Sequence, residues 1–196
     1  MIPQDIERYV LLASDASNLQ LQQQANAFLN QWVTSNNDNV LADAIVEVVR
    51  VTQREVVLFY ALTVFSRLDN ATSQQRAIFR QEILSQLFRS SSLPSTDTTG
   101  NDVSASTSNN YHNQSSWSPT YLRTKVGVLL ARFIQLDYPQ AWPSAFDDLQ
   151  SPLMLQNAPD ILLRTLVALM DEFGRDETEV NSNIKDSMRG YGNTTV

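Results

Sequence analysis

The chain contains the stretch Asp137-Tyr138-Pro139-Gln140-Ala141-Trp142-Pro143-Ser144-Ala145-Phe146-Asp147-Asp148-Leu149. Pro139 lacks a backbone N–H and ends the helix before it, whereas Pro143 has the φ angle that suits the first turn of the next helix. Trp142 stands between the two prolines, where its ring can wedge into the gap between the helices. The stretch therefore predicts a corner that joins two helices, the second of which uses Phe146 and Leu149 as apolar positions.

Long apolar helices are predicted on both sides of this corner. Ser118 and Pro119 are a cap followed by a first-turn proline, and the helix that they open runs to about Leu136. Gly127 lies in the middle of that helix, where glycine costs about 1 kcal/mol relative to alanine. A close approach by a neighbouring helix would explain this glycine. Residues 160–173 are apolar nearly all round, which is typical of a helix buried between neighbours.

The N-terminal half shows the same alternation of helices. Residues 19–33 have the periodicity of an amphipathic helix with Ser17 as its cap, and residues 41–49 carry the apolar stripe of a shorter one. Capping boxes begin at Thr52 and at Thr72, because a Glu or Gln stands three residues further on. Each box opens a further helix with several large apolar side chains.

Ser, Thr and Asn make up 16 of the 26 residues from 91 to 116, and this segment cannot bury enough apolar surface to offset its ordering entropy. Without this segment, helical pairs begin near residues 17, 52, 118 and 158, and each takes about 40 residues, the period of HEAT-type repeats. One pair cannot bury both faces alone, so pairs must stack. The prediction is an all-α fold: an α-solenoid of about four HEAT-type helical pairs in a right-handed superhelical stack, with one disordered inserted loop. An irregular helical bundle is the alternative that periodicity leaves open.

Missing motifs argue against an enzyme. The chain has no cysteine, and its single histidine, His112, lies in the predicted loop, so neither a thiolate metal site nor a Ser-His-Asp triad is expected. No stretch matches a glycine-rich phosphate loop. Asp147-Asp148 and Asp171-Glu172 are adjacent on helices and point in different directions, which suits a solvated face better than paired acid–base groups. We expect no catalytic residue, no metal and no cofactor.

The chain is acidic, with a formal net charge of −7 and only two lysines, Lys125 and Lys185. Phosphate binding depends on Lys and Arg, so this balance argues against nucleic acid as a partner of this segment alone. It suits either a solvated surface or a basic protein partner. No apolar run approaches the ~20 residues of a membrane span, and the first residues do not resemble a signal peptide. We expect a soluble, intracellular protein without membrane contact.

The corner resembles the third HEAT repeat of importin-β-superfamily receptors, where a long helix with a Lys, here Lys125, precedes Tyr-Pro-x-x-Trp-Pro-x-x-Phe-x-Asp-Leu. Residues 56–68 and 72–84 resemble the helices of the preceding repeat. Residues 181–189 are similar to the corresponding stretch of the tRNA exportins, which makes that branch the best match. The resemblance covers residues 17–190 apart from the insertion.

This resemblance implies the N-terminal part of a longer nuclear export receptor that catalyses nothing. Such a receptor binds Ran-GTP and tRNA cooperatively, carries the tRNA through the nuclear pore, and shuttles between nucleus and cytoplasm. The implied partners are Ran-GTP, nucleoporins and tRNA, the last mainly through the missing C-terminal part. Residues 1–190 would be the Ran-binding HEAT-repeat region, and residues 191–196 a tail or truncation point.

The inner helices of such a receptor line the surface that meets Ran, and here they would cover residues 38–50, 72–88, 141–153 and 177–189. The implied contacts are their polar positions: Asp43, Glu47, Arg76, Arg80, Asp147 and Asp148. For each of them, a simple surface residue is the alternative. Two other functions stay open, namely another karyopherin that carries protein cargo and a generic helical-repeat scaffold.

Overall fold

The computed structural model describes residues 2–91, 119–155 and 158–173 of the 196-residue chain. These residues form α-helices and no strand. The helices are α1 (Pro3–Ser14), α2 (Leu19–Ser35), α3 (Asp38–Val51), α4 (Glu55–Phe65), α5 (Ser73–Ser91), α6 (Thr120–Asp137), α7 (Ala145–Leu155) and α8 (Pro159–Phe173). No helix among them is long and apolar enough to cross a membrane. The predicted all-α class is confirmed.

The helices pack as consecutive pairs that begin with α1. Helix α1 lies on α2, α3 on α4, α5 on α6, and α7 on α8. Neighbouring pairs are joined through α1, α3 and α5 in one row and through α4, α6 and α8 in another. This is the predicted stack of helical pairs, but each pair starts one helix earlier than expected. The predicted starts near residues 17, 52, 118 and 158 are those of α2, α4, α6 and α8, because the sequence predicts no helix before residue 17.

Helix α1 is short and has a narrow apolar stripe. Pro3 occupies its first position, and the Ile2 amide donates a hydrogen bond to the Asp5 carboxylate at 3.4 Å. Only Ile6 and Val10 are buried on it, and both join the common core. Two buried residues in three turns are too few for periodicity to reveal a helix, which explains why it was missed.

Thr52 does not open α4, so the predicted capping box is wrong. Thr52 is the C-cap of α3, and its hydroxyl accepts a hydrogen bond from the Arg54 amide at 3.1 Å and donates one to Glu7 of α1 at 3.3 Å. The hydroxyl is buried there, so it links α1 to the turn instead of capping α4. Helix α4 accordingly starts at Glu55.

The capping box at Thr72 is confirmed. The Gln75 amide donates to Thr72 Oγ1 at 3.2 Å, and the Thr72 amide donates back to Gln75 Oε1 at 3.1 Å. At α2, in contrast, the cap is Asn18 rather than the predicted Ser17, because the Asn18 side chain accepts from the Leu21 amide at 3.1 Å.

Three phenylalanines join α4, α5 and α6 at the centre of the core. The rings of Phe65 and Phe79 stack with centroids 3.8 Å apart, and Phe133 meets both edge-on at 5.7 and 6.4 Å. All three side chains are buried. The edge-to-face pairs contribute about 0.5–1.5 kcal/mol each beyond their burial. They bind α5 to α6 directly, although the sequence separates these helices widely.

Gly127 lies where α6 and α8 touch. A Cβ at this position would stand 2.7 Å from the Arg164 Cβ and 3.1 Å from the backbone nitrogen of Thr165. The predicted close approach of a neighbouring helix is therefore confirmed. The opposite side of α8 meets no helix among the described residues, since Leu163, Val167 and Met170 are exposed. Within the described part of the chain, α8 is therefore not buried on all sides.

Several predictions concern residues outside the described part. These are the loop at 91–116 apart from Ser91, which ends α5, and also His112, Ser118, the helix at 177–189 and the tail at 191–196.

Candidate partner-binding surfaces

The corner between α6 and α7 is built around Trp142. Its ring is buried, and its Nε1 donates a hydrogen bond to Asp148 Oδ2 at 2.8 Å. Ser144 Oγ donates to the same oxygen at 2.8 Å. The Tyr138 ring packs edge-on against Phe146, with centroids 5.7 Å apart. Asp148 thus holds the turn in place, although the resemblance implied a contact with a partner for it.

The two prolines of the corner lie in the turn between α6 and α7. The peptide bond between Tyr138 and Pro139 is cis, and Pro143 is exposed in the turn before α7. Helix α7 begins at Ala145, so Pro143 precedes the helix and does not lie in its first turn, where the sequence predicted it.

Arg80 of α5 lies flat on this corner. Its guanidinium carbon is 3.5 Å from the centroid of the Trp142 ring, a cation–π arrangement. Burial lowers the pKa of Arg80, and the charges of Asp137 and Asp148 oppose that shift. Arg80 therefore packs α5 against the corner with its stem and its charged head.

Arg76, one turn before Arg80 on α5, forms an ion pair with Asp137. Its Nε donates to both carboxylate oxygens of Asp137 at 3.1 Å, and its Nη1 donates to the carbonyl oxygen of Ala71. The side chain of Asp137 is 2% exposed and that of Arg76 12%. The ion pair attaches the C-terminal end of α6 to α5. Because the Arg76 guanidinium is largely buried in this pair, it is poorly accessible to a partner protein.

The acidic positions of α3 are exposed and lie beside α5. Asp43 accepts a hydrogen bond from Gln75 Nε2 at 2.9 Å. Glu47 pairs with Arg50, which also pairs with Glu82 of α5 at 2.9 Å. The carboxylate of Glu82 raises the pKa of Arg50, with a smaller contribution from Glu47. The structure thus places Asp43 and Glu47 one turn apart on a solvent-facing edge of α3.

The four carboxylates that the resemblance marks as contacts fall into two groups. Asp43 and Glu47 stand on α3, whereas Asp147 and Asp148 stand in the first turn of α7. Carboxylates in a first turn are favoured by the helix dipole, so Asp147 and Asp148 also suit their own helix. No cluster of His, Cys, Asp or Glu among the described residues could hold a metal ion.

A second surface lies on the row formed by α4, α6 and α8. It surrounds a cavity of about 410 Å³ whose wall is formed by Ser66, Lys125, Val128, Leu129, Ala131, Arg132, Gln135, Leu136 and Ala168. Lys125 is half-buried, and burial lowers its pKa, as does the charge of Arg67 nearby. The resemblance marked Lys125 only as a motif position. The cavity has no signal in the sequence, because it depends on how three helices approach one another.

Paired helices in two rows around one continuous core define a helical-repeat protein, a class that presents extended surfaces to its partners. Residues 119–195 match the family of exportin 1-like proteins. An exportin-T from Oryza sativa subsp. japonica is 35% identical over 80 residues, which cover 37% of this chain and 8% of that relative. Both findings support a relationship of this chain to the importin-β/exportin family. It spans only a small part of the length of this relative, and no solved structure matches it.

Proposed function

We propose that the chain is part of a karyopherin-type receptor that binds Ran-GTP and exports tRNA from the nucleus. The observation that carries this proposal is the exportin match over residues 119–195 together with the similarity to exportin-T. The receptor acts by binding and release rather than by catalysis. It moves between nucleus and cytoplasm and passes the pore by contact with nucleoporins.

The exposed carboxylates support an acidic contact surface for Ran. Asp43 and Glu47 project from α3 into solvent, and Asp147 stands exposed at the start of α7. The chain as a whole carries a net charge of −7, which favours encounter with a basic protein surface. Arg76 and Arg80 are held within the fold, so the proposed contact set narrows to the carboxylates.

The test measures binding of this chain to Ran locked in its GTP form and in its GDP form, by biolayer interferometry. We expect clear preference for the GTP form. The double variant Asp43→Asn, Glu47→Gln should weaken binding by about three- to tenfold, since exposed charge pairs contribute roughly 0.2–1 kcal/mol each. The matched control is Asp15→Asn with Asp171→Asn, which removes the same charge elsewhere on the surface.

Equal binding to the two nucleotide forms would contradict a Ran-dependent receptor and favour a generic scaffold. An equal loss in the control pair would show that overall charge, and not the α3 edge, matters. The tRNA part is tested with the complete receptor, in which tRNA and Ran-GTP should each raise the affinity of the other by the same factor. No effect of tRNA would point to a karyopherin with protein cargo.

A further inference from the structure

The charged side chains around the cavity on the α4–α6–α8 row are mostly cations. Lys125 and Arg132 lie in its wall, and Arg67, which follows α4, carries the charge that acts on Lys125. Asp69 is the carboxylate of this group, and it pairs with Arg132 at 2.6 Å. Three cations and one carboxylate leave the cavity with an excess of positive charge, although the chain as a whole carries −7.

Lys125 has no carboxylate to pair with in the part of the chain that the structure describes. Its side chain is half-buried, and burial lowers the pKa of its ammonium group, as does the charge of Arg67. More of Lys125 is therefore in the unprotonated form than for a lysine in free solution. An amine that is desolvated and lies beside another cation is one of the ways in which proteins make lysine a nucleophile.

We propose that Lys125 is an acylation site, at which its ε-amine takes the acyl group of a thioester whose leaving group carries phosphates. The unprotonated nitrogen attacks the carbonyl carbon, and a C–N bond forms as the C–S bond breaks. The thiolate leaves and takes up the proton that the amine loses, so the products are an uncharged amide and a free thiol. This inference does not depend on the binding of Ran or tRNA.

The cavity suits both ends of such a donor. Arg67 and Arg132 attract the phosphates of the leaving group, because charge-assisted hydrogen bonds from guanidinium to phosphate are strong. The rest of the wall is apolar and can cover an acyl chain; it is formed by Val128, Leu129, Ala131, Leu136 and Ala168. The cavity measures about 410 Å³. A chain longer than acetyl covers more of this wall, so a butanoyl thioester should react in preference to an acetyl thioester.

The two lysines of the chain, Lys125 and Lys185, allow an internal comparison. The folded chain and the chain unfolded in urea are each incubated with butanoyl-coenzyme A, without an enzyme, and mass spectrometry of peptides gives the rate at each lysine. Lys125 should react about threefold faster or more in the folded chain, since the surrounding cations concentrate the donor at the amine. The chain has no cysteine, so no thiol can pass the acyl group to a lysine.

Variants separate the contributions of charge and of the apolar wall. Arg67→Gln removes the neighbouring cation and should slow the reaction at Lys125 about twofold or more, whereas Arg8→Gln removes the same charge from an exposed position on α1 and should not. Val128→Ser, one turn from Lys125 and 48% exposed, should abolish the preference for butanoyl over acetyl. Circular dichroism of each variant shows that its helices are intact.

Thermal unfolding of the acylated chain gives an independent measurement. The lowered pKa means that the fold disfavours the charged form of Lys125, so loss of the charge should stabilise the folded state. The chain acylated at Lys125, and equally Lys125→Gln, should therefore unfold at a midpoint no lower than that of the unmodified chain.

Three outcomes would overturn the proposal. One is a rate at Lys125 that is no higher in the folded chain than in urea, because the amine is then hidden or held by an anion. Another is an equal acceleration at Lys185, which would reflect the chain as a whole and not this cavity. The third is an equal effect of Arg67→Gln and Arg8→Gln on the rate at Lys125.

Discussion

Replacement of Gly127 by alanine should destabilise the chain, although alanine is the better helix former. The new Cβ would stand 2.7 Å from the Cβ of Arg164 and 3.1 Å from the backbone nitrogen of Thr165. Carbon atoms pack at about 3.5–4.0 Å, so the overlap is close to one ångström. The atoms that it meets belong to the backbone of α8 and its first side-chain carbon. No change of rotamer relieves the overlap, and α8 has to move away from α6.

Two terms of opposite sign decide the magnitude. Alanine in place of glycine stabilises a helix interior by about 1 kcal/mol. Overpacking a well-packed contact costs about 1–3 kcal/mol. The difference predicts a net loss of roughly 0–2 kcal/mol for Gly127→Ala, and more for Gly127→Val, which adds two further carbons and a β-branched side chain.

Urea denaturation followed by circular dichroism checks this prediction. With a slope of about 2 kcal/mol per molar urea, a loss of 1 kcal/mol lowers the midpoint by roughly 0.5 M. Val128→Ala, at the next and exposed position of α6, is the control and should shift the midpoint little. In a background of Arg164→Gly, which removes the contacted Cβ, Gly127→Ala should cost less. A midpoint that rises for Gly127→Ala in the wild-type background would refute a close contact between α6 and α8.

The two buried or partly buried ion pairs give further predictions. Arg76→Ala leaves the Asp137 carboxylate buried without its cation and should lower the free energy of unfolding by about 3–5 kcal/mol, measured by the same urea midpoints, and a loss below about 1 kcal/mol would contradict the pairing. The hydrogen bond from Arg123 lowers the pKa of Asp160 in the folded state, against a smaller opposing effect of burial. Its stabilisation is therefore complete above the unfolded pKa of about 3.9 and is lost as the pH falls through the folded pKa. Asp160→Asn should cost up to about 1 kcal/mol at neutral pH and flatten the loss of stability in acid; an unchanged acid profile would count against this prediction.

Most helices could be predicted because apolar periodicity and capping residues mark them in the sequence. The box at Thr72 was identified correctly, since both of its hydrogen bonds are local. The box at Thr52 has the same pattern, but its hydroxyl bonds to Glu7, a residue 45 positions away that no local rule connects to it. The close contact at Gly127 could be predicted because glycine destabilises a helix interior, so its presence there suggests close packing against another helix.

The candidate sites were less predictable than the helices. Arg76 and Asp137 are 61 residues apart, so their pairing could not be deduced from the sequence, and Arg76 resembled any surface residue of an amphipathic helix. Lys125 stood out only through the resemblance, without its cavity. The carboxylates Asp43 and Glu47 were correctly expected at the surface, because charged side chains on the polar face of a helix stay solvated.

The direct attachment of α5 to α6 has a consequence for the evolution of this chain. The Arg76–Asp137 ion pair and the contact between Phe79 and Phe133 position α6 without help from the residues that connect the two helices in sequence. Doubling the length of such a connection costs only about 0.6 kcal/mol of closure entropy. Insertions and deletions between residues 92 and 118 should therefore accumulate freely among relatives, and the same stretch is a permissive place to insert a tag or a reporter domain.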